Sequence, residues 1–261
     1  MKRYFRVLKT AVSNSFSYLF AYRVDVIMKI LLGLGWTAVN LLIIEVLFLH
    51  TTALNGWSKI DMVVLFLTFG FATEIGFFLG SNIKELETAV RRGSFDGIIT
   101  KPIDSQFLSV FGRPDFSTII YLSSRQAPYL YILWRDGIET SLASLLLYIF
   151  LILCGNIIWL SVRVMLMTLN FWHQKLDNLA DLQNTIDQFA QYPIGIFPRS
   201  MQLIMYTAMP LAFVAFVPAE ALRGNISAEM IMLTVAMTII FVTASRLLWK
   251  KALKNYTSAS S

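Results

Sequence analysis

Apolar runs long enough to cross a bilayer alternate along this chain with short polar stretches. The first runs from Val26 to Leu49, with Lys29 and Glu45 near its ends. At 1.5 Å per helical residue, about 20 residues cover a hydrocarbon core of about 30 Å, and this run suffices. A second run, Met62 to Gly80, holds a single charge, Glu74. Residues 116–134 are diluted by Arg125, Pro128 and several serines, so hydropathy alone leaves that crossing open. From Glu139 to Trp172 the chain is apolar apart from Arg163 and reads as one long helix entering the cytoplasm; 201–219 and 230–249 follow. The pattern predicts an all-α integral membrane protein, one domain over 1–261, with spans at 26–49, 62–80, 116–134, 139–172, 201–219 and 230–249.

Charge decides the doubtful third span. With six spans, the regions on one side (1–24, 83–115, 173–200 and 246–261) carry sixteen Lys and Arg, against Lys59, Arg135 and Arg223 on the other. Such asymmetry marks the cytoplasmic side, which puts both termini in the cytoplasm. Five spans would leave Arg246, Lys250, Lys251 and Lys254 outside. Residues 1–22 place Phe5, Leu8, Val12, Phe16 and Leu19 on one helical face beside Lys2, Arg3, Arg6 and Lys9, which predicts an interfacial helix.

Composition agrees with the hydropathy pattern. Of 261 residues 56% are hydrophobic and 15% charged, with mean hydropathy +0.62, where soluble domains carry about 25% charged residues. The net charge of +6 is split into clusters between apolar runs, which argues against a nucleic-acid partner. Cys154 is the lone cysteine, so neither a disulfide nor a cysteine metal site can form within the chain.

The polar segment 83–115 is where function is expected. Lys84 to Arg92 has helical spacing, and Gly93 can close a helix in the left-handed region. Asp96 and Asp104 can each accept from free amides at the start of a following turn, and Pro102 favours an extended Lys101. Two short helices separated by a kink follow, each with an apolar face, formed by Phe95, Ile98 and Ile99, and by Phe107, Leu108 and Phe111. Such a segment is either a loop lying on the membrane surface or a docking surface for a soluble partner.

Catalytic motifs are missing. There is no G-x-x-x-x-G-K-[ST] phosphate loop, no H-E-x-x-H and no G-x-S-x-G, and the histidines, His50 and His173, are far apart. Asp177 and Asp181 share a helix face in a polar segment, which suits solvation better than acid–base work. Charges inside spans are costly and mark candidate sites. Glu74 and Arg125 can line a polar translocation path, pair with each other, or reach interfacial water, whereas Lys29, Glu45 and Arg163 are expected to reach headgroup water.

Gly93-Ser-Phe-Asp96 with Ile-Ile-Thr-Lys101-Pro102, then Phe171-Trp172, Gln191-Tyr192-Pro193 through Phe197-Pro198-Arg199, Pro210-Leu-Ala-Phe-Val and Val217-Pro218-Ala219 occur in that order. Together they resemble the ABC-2 type transporter permeases, in the branch carrying G-x-x-D…[RK]-P and Y-P-x-x-I-[YF]-P segments. The resemblance implies an exporter subunit in the cell (inner or plasma) membrane, not catalytic and without a cofactor of its own. ATP and Mg would be bound by a separate ATP-binding subunit, two copies per complex, and a second permease, identical or related, would complete the assembly. It also implies that the short helices dock on that subunit, which assigns docking to Arg91, Arg92, Gly93, Phe95, Asp96, Lys101, Pro102 and Phe107, with Phe95 or Phe107 as buried anchor. The alternative is a membrane scaffold that recruits a peripheral protein through the same basic loop without transport.

Overall fold

In this computed structural model the chain is described over residues 23–91, 93–112, 114–136, 140–172 and 179–256, so the interfacial helix expected at 1–22 lies outside the described residues. The structure is helical throughout those residues, with no strand among them beyond an isolated bridge between Leu54 and Trp57. Helices α1 (Arg23–Leu47) and α2 (Lys59–Gly80) form the first pair. A capping box starts α2: the Ser58 hydroxyl accepts from the Asp61 amide at 3.3 Å, and Asp61 accepts from the Ser58 amide at 2.9 Å. Short helices α3 (Lys84–Arg91), α4 (Asp96–Ile99) and α5 (Ser105–Phe111) follow, then α6 (Ser117–Arg135) and α7 (Leu142–Thr168).

Helix α6 runs through Pro128 without breaking. Proline removes one helix hydrogen bond, and the Thr37 hydroxyl of α1 donates to the Arg125 carbonyl beside that gap at 2.6 Å. The diluted segment is thus one continuous helix packed on α1 and α2, with Arg125, Gln126 and Tyr129 buried.

Beyond α7 the chain departs from expectation. Helix α8 (Leu179–Asp187) begins beside the cluster around Phe95, passes Trp159 of α7, and continues through 3₁₀ turns until Tyr192 meets the Phe66 ring edge-on and Gly195 abuts Asn55. Residues 179–196 therefore travel the length of the bundle, where a polar cytoplasmic segment over 173–200 was expected. The expected straight helix over 201–219 is two pieces, α9 (Arg199–Tyr206) and α10 (Phe216–Leu222), bent by 70° through Thr207–Pro210 and Leu211–Phe213. Both outer ends of this hairpin come to the Asn55 end of the bundle. There Phe216 lies 5.5 Å from the Trp57 ring and Arg223 donates to Asp61 at 2.9 Å. Its tip reaches down to α7, where Gly155 lets the Phe213 carbonyl approach so closely that a Cβ would stand 2.3 Å from it. The cause is Pro210, which lacks an amide to continue a helix. Helix α11 (Ala228–Asn255) returns along α7 to the Phe95 end.

Among the described residues, four stretches are long and apolar enough to cross a membrane: α1, α2 with its extension to Val90, Leu142–Phe171 and α11. The bent pair would be a fifth if it were one span. Chain packing accounts for their unequal burial, with the central windows of α2 and α7 72% and 61% buried and those of α1 and α11 22% and 17%. The last two present apolar faces that a surrounding hydrocarbon would cover.

Candidate functional site

The segment 84–111 folds as spacing predicts. Gly93 has φ +71°, and beyond it the Phe95 amide reaches back to the Ala89 carbonyl at 3.1 Å, ending α3. Asp104 caps α5, its carboxylate accepting from the Phe107 amide at 3.0 Å. Asp96 is the first residue of α4. Among the residues assigned to docking, Arg92 lies outside the described residues, as does the side chain of Arg91.

Phe95 is not on the surface. It is fully buried, ringed edge-on by Phe171 at 5.0 Å, Tyr256 at 5.4 Å and Trp249 at 6.0 Å. A side chain already desolvated by its own chain cannot anchor a partner, so the geometry takes Phe95 out of that role and makes it the core on which the loop is built. Phe107 is half-buried, stacked on Phe111 at 5.1 Å, in a cleft of about 350 Å³ between α5, α7 and α11. The tip of the loop, Ile99 to Pro102, is exposed, with the Ile99 side chain and Lys101 facing out, as are Ser94 and Gly97.

Glu74 of α2 and Arg125 of α6 come together. Arg125 Nη1 donates to Glu74 Oε1 at 2.9 Å, with side chains 5% and 8% exposed. Arg125 also lies 5.8 Å from the Phe69 ring centre. Of the roles open from sequence, pairing is realised; neither group reaches water. Around the pair, Asn40, Gln126 and Tyr129 are buried.

Lys29 and Glu45 each form an ion pair, Lys29 with Asp25 at 2.8 Å and Glu45 with Lys59 at 2.5 Å. Arg163 departs from its expected reach toward water. It is 1% exposed, stacked over the rings of Trp159 and Phe77, and donates to Asn184 at 3.1 Å. Beside it Trp159 Nε1 donates to Asp187 at 2.6 Å. This second polar knot was missed because its partners sit in the stretch read as a loop. Gln183 and Asp187, four apart and therefore on one helical face, were the available signal. Asp177 lies outside the described residues, and Asp181 is exposed.

A bundle of apolar helices with a short-helix loop projecting at one end is the setting in which family membership is decisive, and residues 34–260 match the ABC-2 family transporter protein. The chain belongs to the ABC-2 transporter family. It is a multi-pass membrane permease of an ABC transporter, a transport component rather than a catalyst. No curated protein and no solved structure is significantly similar to it. For an ABC-2 permease, the face that meets an ATP-binding subunit must be accessible, and the Ile99–Pro102 tip meets that requirement where Phe95 does not.

Proposed function

We propose that this ABC-2 permease is the membrane half of an exporter driven by ATP hydrolysed on a separate subunit, and that it docks on that subunit through the Ile99–Pro102 tip. The observation that carries the reading is the loop itself: three short helices, firmly seated at their base, exposing an isoleucine and a lysine at one end of a family-assigned permease that has no phosphate loop. An apolar anchor flanked by charge suits a protein partner, the isoleucine supplying affinity and Lys101 orientation. ATP and Mg belong to the partner, in two copies, and a second permease, identical or related, would cover the exposed faces of α1 or α11.

The crossings are α1, α2, α6, α7, residues 179–196 and α11, and the hairpin 199–222 re-enters from the face opposite the docking loop. This retains six crossings and cytoplasmic termini while moving Arg199 to the outer side, so that the Lys and Arg balance becomes fifteen to four. In 179–196, Gln183 and Asp187 are buried, and Asp187 bonds Trp159 of α7, while Asp181, Thr185 and Gln188 lie on an exposed face that a second permease would cover. Glu74 and Arg125 join a translocation path when α2 and α6 separate.

The test is affinity purification of the tagged chain from its native membrane in mild detergent, with mass spectrometry of what accompanies it. An ATPase with a phosphate loop is expected at about one per permease, and Ile99→Asp or Lys101→Glu should reduce its recovery severalfold while leaving permease yield unchanged. Recovery of only non-ATPase proteins would favour the scaffold; full ATPase recovery with Ile99→Asp would move docking elsewhere.

A further inference from the structure

The docking loop is fastened to a helix about 140 positions away in sequence. Arg246 of α11 grips Asp104, the cap of α5, with two parallel hydrogen bonds, Nη1 to Oδ1 at 3.0 Å and Nη2 to Oδ2. The same Nη1 donates to Gln106 Oε1 at 2.9 Å, and Gln106 Nε2 in turn reaches Ser245 Oγ at 3.4 Å. One turn on, Trp249 Nε1 donates to Ser105 Oγ at 3.1 Å. Further along, Trp249 and Tyr256 close the ring cage around Phe95, and Ala252 is fully buried. Residues 245–246, 249, 252 and 256 recur every three or four positions, so they form one face of α11, and that face is occupied by the loop. Both short helices are covered: α4 through Phe95 at its start, α5 through its cap.

The loop is also held to the foot of α2. Asn82 at the foot of α2 donates to the carbonyls of Leu108 and Ser109 at 3.0 and 3.2 Å. Chain connectivity would suggest that a push on the loop moves α2, the helix it directly follows. The side chains tie it to α11 as well, with a bidentate charged pair, an indole hydrogen bond and an aromatic cage, and planar Arg–carboxylate pairs fix orientation as well as position.

We propose that Arg246 is a positioning residue that clasps the docking loop to the inner end of α11, so that loop and α11 move as one body when an ATP-binding subunit pushes on the loop. This rests on the permease reading for the origin of the push, but the clasp itself is a property of the chain alone. The force then enters the bundle through its last helix as well as through α2.

Two measurements test it. In the full chain reconstituted in nanodiscs, hydrogen exchange of amides 105–111 should be about tenfold faster in Arg246→Gln than in the parent, the scale of losing charge-assisted bonds. Exchange in α2 and α7 should be unchanged, and the swapped pair Arg246→Asp with Asp104→Arg should restore the slow rate. Unchanged exchange in Arg246→Gln would overturn the clasp and leave the permease reading intact. In the second, Gln106→Cys with Ser245→Cys is joined by a short reducible bis-thiosulfonate linker in the complex with its ATPase. Movement as one body predicts full ATP turnover with the linker in place; turnover that stops and returns on reduction would overturn it.

Discussion

At the scale of single residues, the consequential feature is a charge pair held away from water. Glu74 and Arg125 each neutralise the other, and removing one leaves the other buried and uncompensated, a loss of about 3–5 kcal/mol. Arg125→Gln should therefore lower the thermal midpoint in detergent sharply, while Glu74→Gln combined with Arg125→Gln should recover much of it; equal losses in single and double variants would show that the pair is not the coupled unit. Asp104 offers a pH test. Burial pushes its carboxyl up, but the hydrogen bond from Arg246 and the amide of Phe107 outweigh it and hold the pKa below its ordinary value. With the folded value below the unfolded one, the contribution is complete above the ordinary range near pH ~4 and is lost as pH falls through the lowered value. Exchange of amides 105–111, corrected for intrinsic rate, should be flat from about pH 5 to 8 and accelerate only below about 4, and Asp104→Asn should abolish that step.

At the scale of elements, the decisive one is the hairpin of α9 and α10. A straight fifth helix and a re-entrant hairpin put Ser200 on opposite sides of the membrane. Ser200 is exposed at the start of α9. In sealed, right-side-out vesicles a membrane-impermeant maleimide should label Ser200→Cys from outside, with native Cys154 buried and silent. Labelling only after permeabilisation would restore a cytoplasmic 173–200. The fold at the tip depends on Gly155 and Pro210 together: one admits the Phe213 carbonyl, the other ends the helix that would otherwise continue.

Across the whole molecule, helices are graded by how much of their surface the chain covers itself. Helices α2 and α7 form the interior, with Phe66, Leu65 and Ile158 fully buried, while α1 and α11 stand outside with apolar faces bare. Of these two, α11 is also bonded to the docking loop, so a partner acting on the loop reaches a helix at the rim of the bundle. That arrangement suits transmission of movement better than a uniformly packed bundle would.

Much of this was legible from the chain. Hydropathy and charge asymmetry determined an all-helical membrane protein, the positions of α1, α2, α7 and α11, the short helices at 96–99 and 105–111, and the candidate pair Glu74 and Arg125, because bilayer thickness and helix geometry act on each segment locally. The family motifs pointed to the permease. Which side chains face the partner and which face the core could not be read that way. Phe95 and Ile99 have equal claim by spacing, and only the return of Trp249 and Tyr256 beside Phe95 decides which is buried. The burial of Arg163 was missed for the same reason. Hydropathy treats a polar group as facing water, whereas here Asn184 accepts from Arg163 and Asp187 from Trp159, and such contacts between distant segments exist only once the chain has folded.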